Sequence, residues 1–361
     1  MNKNYYAIIM AGGIGSRFWP ISRTSHPKQF LDILGTGKTL IQNTYERFLK
    51  VCPKENIYVV TNENYTGLVK TQLPDMADQQ ILTEPVMRNT APCIAYGCFK
   101  IESINPNAAI VVAPSDHLIL DEAAFVAAIE KSLKTAAEKD CLVTLGIKPS
   151  RPDTGYGYIQ FTDQAINNDF HKVKTFTEKP TLEIARTFIQ SGDFLWNAGI
   201  FVWSAKAILS AFSRYLPEMN EIFADARPVY NTDGEKKHIH KAYQQCTNIS
   251  IDYGIMEKAE NVFVLPSEFG WSDLGTWASI YQLAEKDYVG NAVIPSEKVI
   301  MYDSSNCMVN VPGDKLVVLQ GLHDFIVVEA NNTLLICPRD QEQNVKQVVA
   351  DVKHKFGVKY I

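Results

Sequence analysis

An apolar strand that runs straight into a glycine turn fixes how this chain must begin. Tyr5 to Met10 leads into Ala11-Gly12-Gly13-Ile14-Gly15-Ser16-Arg17, and Pro27-Lys28-Gln29-Phe30 follows a short loop later. Glycine has no Cβ and tolerates positive φ, so backbone N–H groups in such a turn can approach an anion closely. Arg17 and Lys28 add two cations that suit a polyphosphate, and the combination reads as a nucleoside triphosphate site. The spacing excludes two common phosphate loops. A dinucleotide GxGxxG begun at Gly13 needs a glycine where Phe18 stands, and a Walker loop ending at Gly37-Lys38-Thr39 needs one where Asp32 stands. Taken alone, the turn would also serve as a tight strand-to-helix connection.

Up to residue 150 the pattern alternates between apolar strands (Tyr5 to Met10, Ile57 to Thr61, Ala109 to Ala113, Leu142 to Gly146) and helical stretches near Leu40 to Val51, Thr90 to Ile104 and Glu122 to Lys139. Phe125, Ile129 and Leu133 recur every four residues, which is helix spacing. Strands joined by such crossovers predict a doubly wound, mostly parallel α/β sheet covered on both faces. Ligands of open sheets sit beyond the carboxyl ends of the strands, where Gly12 to Arg17 and Pro114-Ser115-Asp116-His117 both fall. Beyond residue 150 come turns and shorter strands around Gly155 to Ile159, Phe176 to Pro180 and Phe194 to Phe201, a lobe suited to a second substrate. From residue 286, short β-branched runs broken by Asp303-Ser304-Ser305-Asn306 and Pro312-Gly313-Asp314 predict a small β domain, closed by a polar helix near Gln341 to Phe356.

Composition narrows the function class. No apolar run approaches the ~18 residues of a membrane span, and the N-terminus lacks a signal peptide's apolar stretch, so a cytoplasmic protein is expected. Seven cysteines without a CxxC pair argue against a disulfide framework or a zinc knuckle. Neither the pair Cys93 and Cys98 nor the pair His238 and His240 is assigned a function. Residues 1–50 carry seven Lys and Arg against two acids, whereas the whole chain is −5. Basic charge gathered around the glycine turn suits an anionic small molecule, and an acidic chain without a basic stripe is a poor nucleic-acid binder.

Two aspartates follow a strand or an aromatic turn: Asp116 in Ala-Pro-Ser-Asp-His and Asp273 in Phe-Gly-Trp-Ser-Asp-Leu-Gly. Carboxylates so placed suit Mg²⁺, which takes oxygen ligands and keeps waters and substrate phosphates. Each would equally serve as a helix or turn cap. In Thr177-Glu178-Lys179-Pro180 a carboxylate and an ammonium sit side by side at a strand end, fit for a sugar's hydroxyls and its phosphate, or for a solvated surface pair. Asn197, between Trp196 and Ala198-Gly199, offers an amide in an otherwise apolar strand and needs a partner. Glu84-Pro-Val-Met-Arg-Asn-Thr-Ala-Pro92 is a loop entering a helix; capping accounts for Asn89 but not for Glu84.

With these pieces in order, the chain resembles the bacterial GDP-mannose pyrophosphorylases (mannose-1-phosphate guanylyltransferases) of the sugar-phosphate nucleotidyltransferase superfamily. The matching blocks are AGGIGSRFWPISR, HPKQF, EPVMRNTAP, APSDH, TGYGYI, FTEKP, WNAGIF, SIDYGIMEK and FGWSDLGTW, in family order from residue 11 to residue 277. The resemblance implies a nucleotidyltransferase domain over 1–285 and a short left-handed β-helix domain over 286–361. It implies that Gly12, Gly13 and Arg17 form the triphosphate loop, that Lys28 is the catalytic cation, and that Glu84 and Asn89 lie on the guanine side. Asp116 and Asp273 match the metal aspartates for Mg²⁺; Gly157, Glu178, Lys179 and Asn197 match the sugar-phosphate pocket. The implied substrates are GTP and mannose 1-phosphate, with neither nucleic acid nor membrane as a partner and a homodimer left open. Phe18 and Gly254 depart from the family's usual leucine and alanine. Many relatives continue into a cupin-like isomerase domain, and isomerase activity is not expected here. Two other readings stay open on the residues alone: a nucleotidyltransferase for another sugar 1-phosphate and triphosphate, and a non-catalytic nucleotide-sugar sensor.

Overall fold

Apolar runs that need both faces covered become the centre of one sheet. The computed structural model describes residues 1–167, 169–294 and 298–361. In chain order the elements of its first part are β1 (Tyr5–Ala11), α1 (Leu40–Phe48), β2 (Ile57–Asn62), α2 (Thr66–Gln72), β3 (Ile81–Glu84), α3 (Thr90–Ile104), β4 (Ala109–Pro114) and the two-residue β5 (Leu118–Ile119). Then come α4 (Glu122–Glu138), β6 (Leu142–Ile147), β7 (Gly157–Ile166), β8 (Phe170–Glu178), α5 (Leu182–Ser191), β9 (Phe194–Ser204), α6 (Ala205–Tyr215), α7 (Pro217–Ala224), α8 (Glu235–Gln245), β10 (Val262–Ser267) and β11 (Trp271–Ser272). The chain forms two compact units, neither continuous in sequence: Met1–Gly12, Thr44–Ser115 and Ile119–Trp271 make the first, and Gly13–Asn43, Asp116–Leu118 and Ser272–Ile361 make the second.

The first unit holds a sheet with strand order β3-β2-β1-β4-β9-β6-β10-β8-β7 among the described residues. The expected parallel pairing runs through β3-β2-β1-β4, with Ala7 opposite Ile57 on one side and Val111 on the other, and returns between β6 and β10. β9 enters antiparallel to both β4 and β6, and β8 and β7 follow as an antiparallel hairpin. The reversal is made at the β7–β8 hairpin: β7 is antiparallel to both β8 and β9, so β8 and β9 run in the same direction with α5 as the crossover between them. One face of the sheet is covered by α3, α6, α7 and α8, whose Phe99, Phe212, Phe223 and Tyr243 pack against Ile8, Tyr58 and Val60. The other face receives α4, which packs on β4 and β9 and buries Phe125, Ile129 and Leu133. Asp121 caps α4 by accepting from Ala124 N at 2.9 Å.

The second unit contains α9 (Trp277–Leu283), β12 (Ala292–Ile294), β13 (Val299–Tyr302), β14 (Met308–Asn310), β15 (Val317–Gln320), β16 (Phe325–Ala330), β17 (Thr333–Pro338) and α10 (Val345–Phe356). β12, β14 and β16 pair in parallel on one side and β13 and β15 on the other, so successive strands alternate between two small sheets, as in a β-helix. Cys307, Val309, Val311 and Val327 fill the space between, together with Val299, Met301, Val317 and Leu319. β17 adds antiparallel to β16, and α10 packs Val345, Val348, Val349 and Val352 around Trp19 and Leu335. All seven cysteines are free thiols and six of them are buried. Among the described residues no helix is long and apolar enough to cross a membrane.

Candidate active site

The glycine turn carries its own reason for being glycine. Gly15 has φ 68°, and a Cβ there would lie 2.5 Å from Lys28 Cβ, so the bare backbone is what lets Lys28 pass beneath the turn. Lys28 opens a short 3₁₀ turn, Lys28–Phe30, after Pro27. It is 3% exposed. Its ammonium donates to Asp116 Oδ2 at 3.1 Å and to the Asp273 carbonyl at 2.6 Å, and lies 5.5 Å from the centre of the Phe18 ring. A buried cation persists only where opposing charge and hydrogen bonds replace water, and these groups supply both. Burial by itself would raise the Asp116 carboxyl, but the charges of Lys28 and His117 outweigh it and hold the group below the usual aspartate range.

Helix capping does not account for either aspartate. Thr276 caps α9 and Asp121 caps α4, whereas Asp273 Oδ1 accepts from Gly275 N at 2.8 Å within its own turn. Lys28 therefore ties the Asp116 side chain and the Asp273 backbone together in the second unit. Lys28 meets the backbone and not the carboxylate of Asp273; among the described residues no group of three or more His, Cys, Asp or Glu forms a metal cage. Gly13 lies in the same turn, exposed, with space around its Cα. Arg17, in the Ser16–Phe18 turn, is directed toward Gln343, to which its Nε donates at 3.0 Å.

In the first unit, Gly12 and Glu84 face each other: a Cβ on Gly12 would lie 3.5 Å from Glu84 Oε2. Glu84 ends β3 and is 4% exposed, and its Oε1 accepts from the Tyr243 hydroxyl at 2.9 Å. Burial raises its pKa to about 7 against the opposing pull of that hydrogen bond. Asn89 caps α3 from the left-handed region, φ 69°. Next to it Thr90 Oγ1 accepts from Ile251 N at 2.9 Å, which docks the loop before α3 onto the segment leading to Asp252.

A second cluster of the same unit gathers the residues expected on the sugar side. Gly157 pairs with Glu178 across β7 and β8; a Cβ on Gly157 would lie 2.6 Å from Glu178 Oε2 and 3.7 Å from Asn197 Nδ2. Lys179, at φ 47°, turns back onto the Glu178 carboxylate. Asn197 Oδ1 accepts from Gly199 N at 3.0 Å, and its amide donates to Asp252 Oδ1 at 2.8 Å. Asp252 opens a π-helical turn, Asp252–Met256. Burial first, then the Glu178 charge, raises its pKa. Asp252 and Tyr243 escape a reading of the sequence. Asp252 lies in the SIDYGIMEK block and offers a local signal, whereas Tyr243 sits in a polar helix and offers none.

Residues 6–289 match the nucleotidyl transferase family and residues 297–352 the MannoseP isomerase/GMP-like beta-helix domain. The alginate biosynthesis protein AlgA of Pseudomonas aeruginosa is 38% identical over 365 residues, covering 96% of this chain and 71% of that protein. The mannose-1-phosphate guanylyltransferase RfbM of Salmonella typhimurium is 35% identical over 362 residues, covering 99% and 74%. Among solved structures, one described as mannose-1-phosphate geranyltransferase from Thermus thermophilus superposes with a TM-score of 0.86 at 30% identity, over 97% of this chain and 99% of that one. Since the match runs through the glycine turn, both clusters and the β-helix, the chain belongs to the nucleotidyl transferase family, among the mannose-1-phosphate guanylyltransferases.

Proposed function

We propose that the chain transfers a guanylyl group from GTP to mannose 1-phosphate, giving GDP-mannose and pyrophosphate. The family acts on a nucleoside triphosphate and a sugar phosphate and generally uses a divalent metal. The observation that carries the reading is the buried Lys28 ammonium, held between the Asp116 carboxylate and the Asp273 carbonyl. In this reading a phosphate oxygen of mannose 1-phosphate attacks the α-phosphorus of GTP in line, the bond to the β-phosphate oxygen breaks, and pyrophosphate leaves. The attacking phosphate is already ionised, so no general base is needed; orientation and neutralisation of charge do the catalysis. Gly12 and Gly13 give the phosphates access to backbone N–H groups, and Arg17 and Lys28 oppose their charge. Asp116 and Asp273 would hold Mg²⁺, which would supply further neutralisation; the Lys28-stabilised Asp116 carboxylate fits that role. Glu84 accepts from the guanine edge beside Gly12, with Asn89 holding its loop. Glu178 and Asn197, backed by Gly157, meet the sugar hydroxyls, and Lys179 meets the sugar's phosphate.

The deciding experiment measures pyrophosphate release with each of the four common nucleoside triphosphates against mannose 1-phosphate and glucose 1-phosphate. Release confined to GTP with mannose 1-phosphate is expected. Preference for another pair would overturn the substrate assignment, and no release with any pair would leave a nucleotide-sugar sensor. Within the sugar cluster, Glu178→Ala and Asn197→Ala are expected to raise the KM for mannose 1-phosphate by about tenfold or more while leaving the KM for GTP near its original value, since each removes contacts to hydroxyls. Loss of GTP affinity with normal use of the sugar phosphate would refute the division of roles.

Glu84 gives the reading a pH signature. Its folded pKa of about 7 stands above the ordinary 4.5, so the folded protein binds the extra proton between those values. The stability this group contributes is therefore full below pH 4.5 and is lost as pH rises through about 7, a change on the order of 3 kcal/mol. Thermal unfolding across that window is expected to show this loss in the original chain relative to Glu84→Gln, which cannot titrate. GTP binding should run the other way and strengthen as the carboxyl ionises. Parallel stability profiles for the two proteins would contradict the assignment.

A further inference from the structure

The phosphate-loop arginine is anchored by the far end of the chain. Arg17 Nε donates to Gln343 Oε1 at 3.0 Å across 326 residues of sequence. Among the described residues the terminal nitrogens of its guanidinium have no hydrogen-bond partner. Gln343 lies in the 3₁₀ segment Arg339–Asn344, within the part of the chain that matches the β-helix domain. The neighbouring Glu342 fixes that segment: its Oε2 accepts from Ala278 N at 2.9 Å, in the first turn of α9. The rest of the loop is moored the same way. Trp19 Nε1 donates to the Tyr360 carbonyl at 2.6 Å, and Arg23 donates to the Ala330 and Asn331 carbonyls and to Thr333 Oγ1 at 3.0–3.1 Å.

A guanidinium presents a planar fork, and fixing one edge dictates where the other points. Held at Nε by the Gln343 acceptor, Arg17 offers the two terminal nitrogens side by side, the geometry that grips two phosphate oxygens. Left unheld, a long arginine side chain would lose more rotamer entropy on each encounter with its ligand. We infer that Gln343 is a positioning residue for Arg17, making the β-helix segment part of the triphosphate site rather than an appended module. This rests on the reading of Arg17 as a triphosphate ligand.

Gln343→Met, which keeps the side chain's length and removes the acceptor, and Gln343→Glu, which keeps an acceptor, separate the possibilities in steady-state assays of the full chain. Gln343→Met is expected to lower kcat/KM for GTP about tenfold, with KM for mannose 1-phosphate at saturating GTP unchanged and the melting temperature within about 2 °C. Gln343→Glu should recover most of the loss. Arg17→Ala combined with Gln343→Met should be no worse than Arg17→Ala alone, because the glutamine acts through the arginine. Independent, multiplicative losses would overturn the inference, as would normal GTP kinetics in Gln343→Met when Arg17→Ala is impaired. Normal GTP kinetics in Arg17→Ala itself would overturn the reading of Arg17 and the inference together.

Discussion

Replacing Lys28 by methionine is expected to lower turnover about 10²- to 10³-fold, some 3 to 4 kcal/mol, with a far smaller change in the KM for GTP. Methionine preserves the packing against Phe18 and beneath Gly15 but removes the ammonium. In the proposed reaction that ammonium meets charge that moves from the α-phosphate bond onto the leaving pyrophosphate, so its effect is larger in the transition state than in the bound triphosphate. The same substitution frees the Asp116 carboxyl from the cation that lowers its pKa, and that carboxyl should titrate at higher pH. Single-turnover rates at saturating GTP check the first expectation. A variant that turns over normally once saturated, but binds GTP weakly, would make Lys28 a binding residue only.

The largest expected effect on stability lies away from the chemistry. Lys100 on α3 and Glu235 on α8 form a buried pair: the ammonium donates to both carboxylate oxygens at 2.6–2.7 Å, Tyr96 Oη donates to Oε1 at 2.6 Å and Asn231 N donates to Oε2 at 2.7 Å. With Lys100 only 3% exposed, Glu235→Ala leaves an uncompensated charge in the interior and should cost about 3 to 5 kcal/mol. The double replacement Lys100→Met and Glu235→Leu removes both charges and should recover much of that loss, since well-packed apolar residues often replace a buried pair without penalty. Denaturant titration of the original chain, Lys100→Met, Glu235→Leu and the double replacement measures the coupling directly. A loss under about 1 kcal/mol for Glu235→Ala would show that water reaches the pair.

Some of this architecture was written locally. The four-residue recurrence of Phe125, Ile129 and Leu133 puts one apolar stripe on a helix, and α4 buries that stripe. The apolar run before Gly12 needs neighbours on both edges and receives β2 and β4. Short-range physics also governs the glycine turn, because only a residue without a Cβ passes Lys28 so closely. Partnerships were less legible. Asp116 and Asp273 read equally well as caps or ligands; the helices α9 and α4 are capped by Thr276 and Asp121 instead, while Asp273 caps its own turn through Gly275 N. The hydroxyl that grips Glu84 belongs to Tyr243, 159 residues away, and nothing near Tyr243 in sequence marks it.

By itself, then, the order of residues determined the strands before residue 150, the helical stripe of α4, the close glycine turn and the residue types that bear charge, since each depends on backbone freedom, periodicity or chemistry within a few positions. Beyond residue 150, where the pattern predicts shorter strands, β7 and β9 run 10 and 11 residues because each pairs with more than one strand of the sheet. Only the tertiary structure decided which of the charges meet. It joined Gly13–Asn43 to Ser272–Ile361 in one unit, brought Asn197 to Asp252, and set Gln343 against Arg17. Such contacts arise when apolar faces are buried together and distant polar groups must then satisfy one another, a condition that no local stretch of sequence contains.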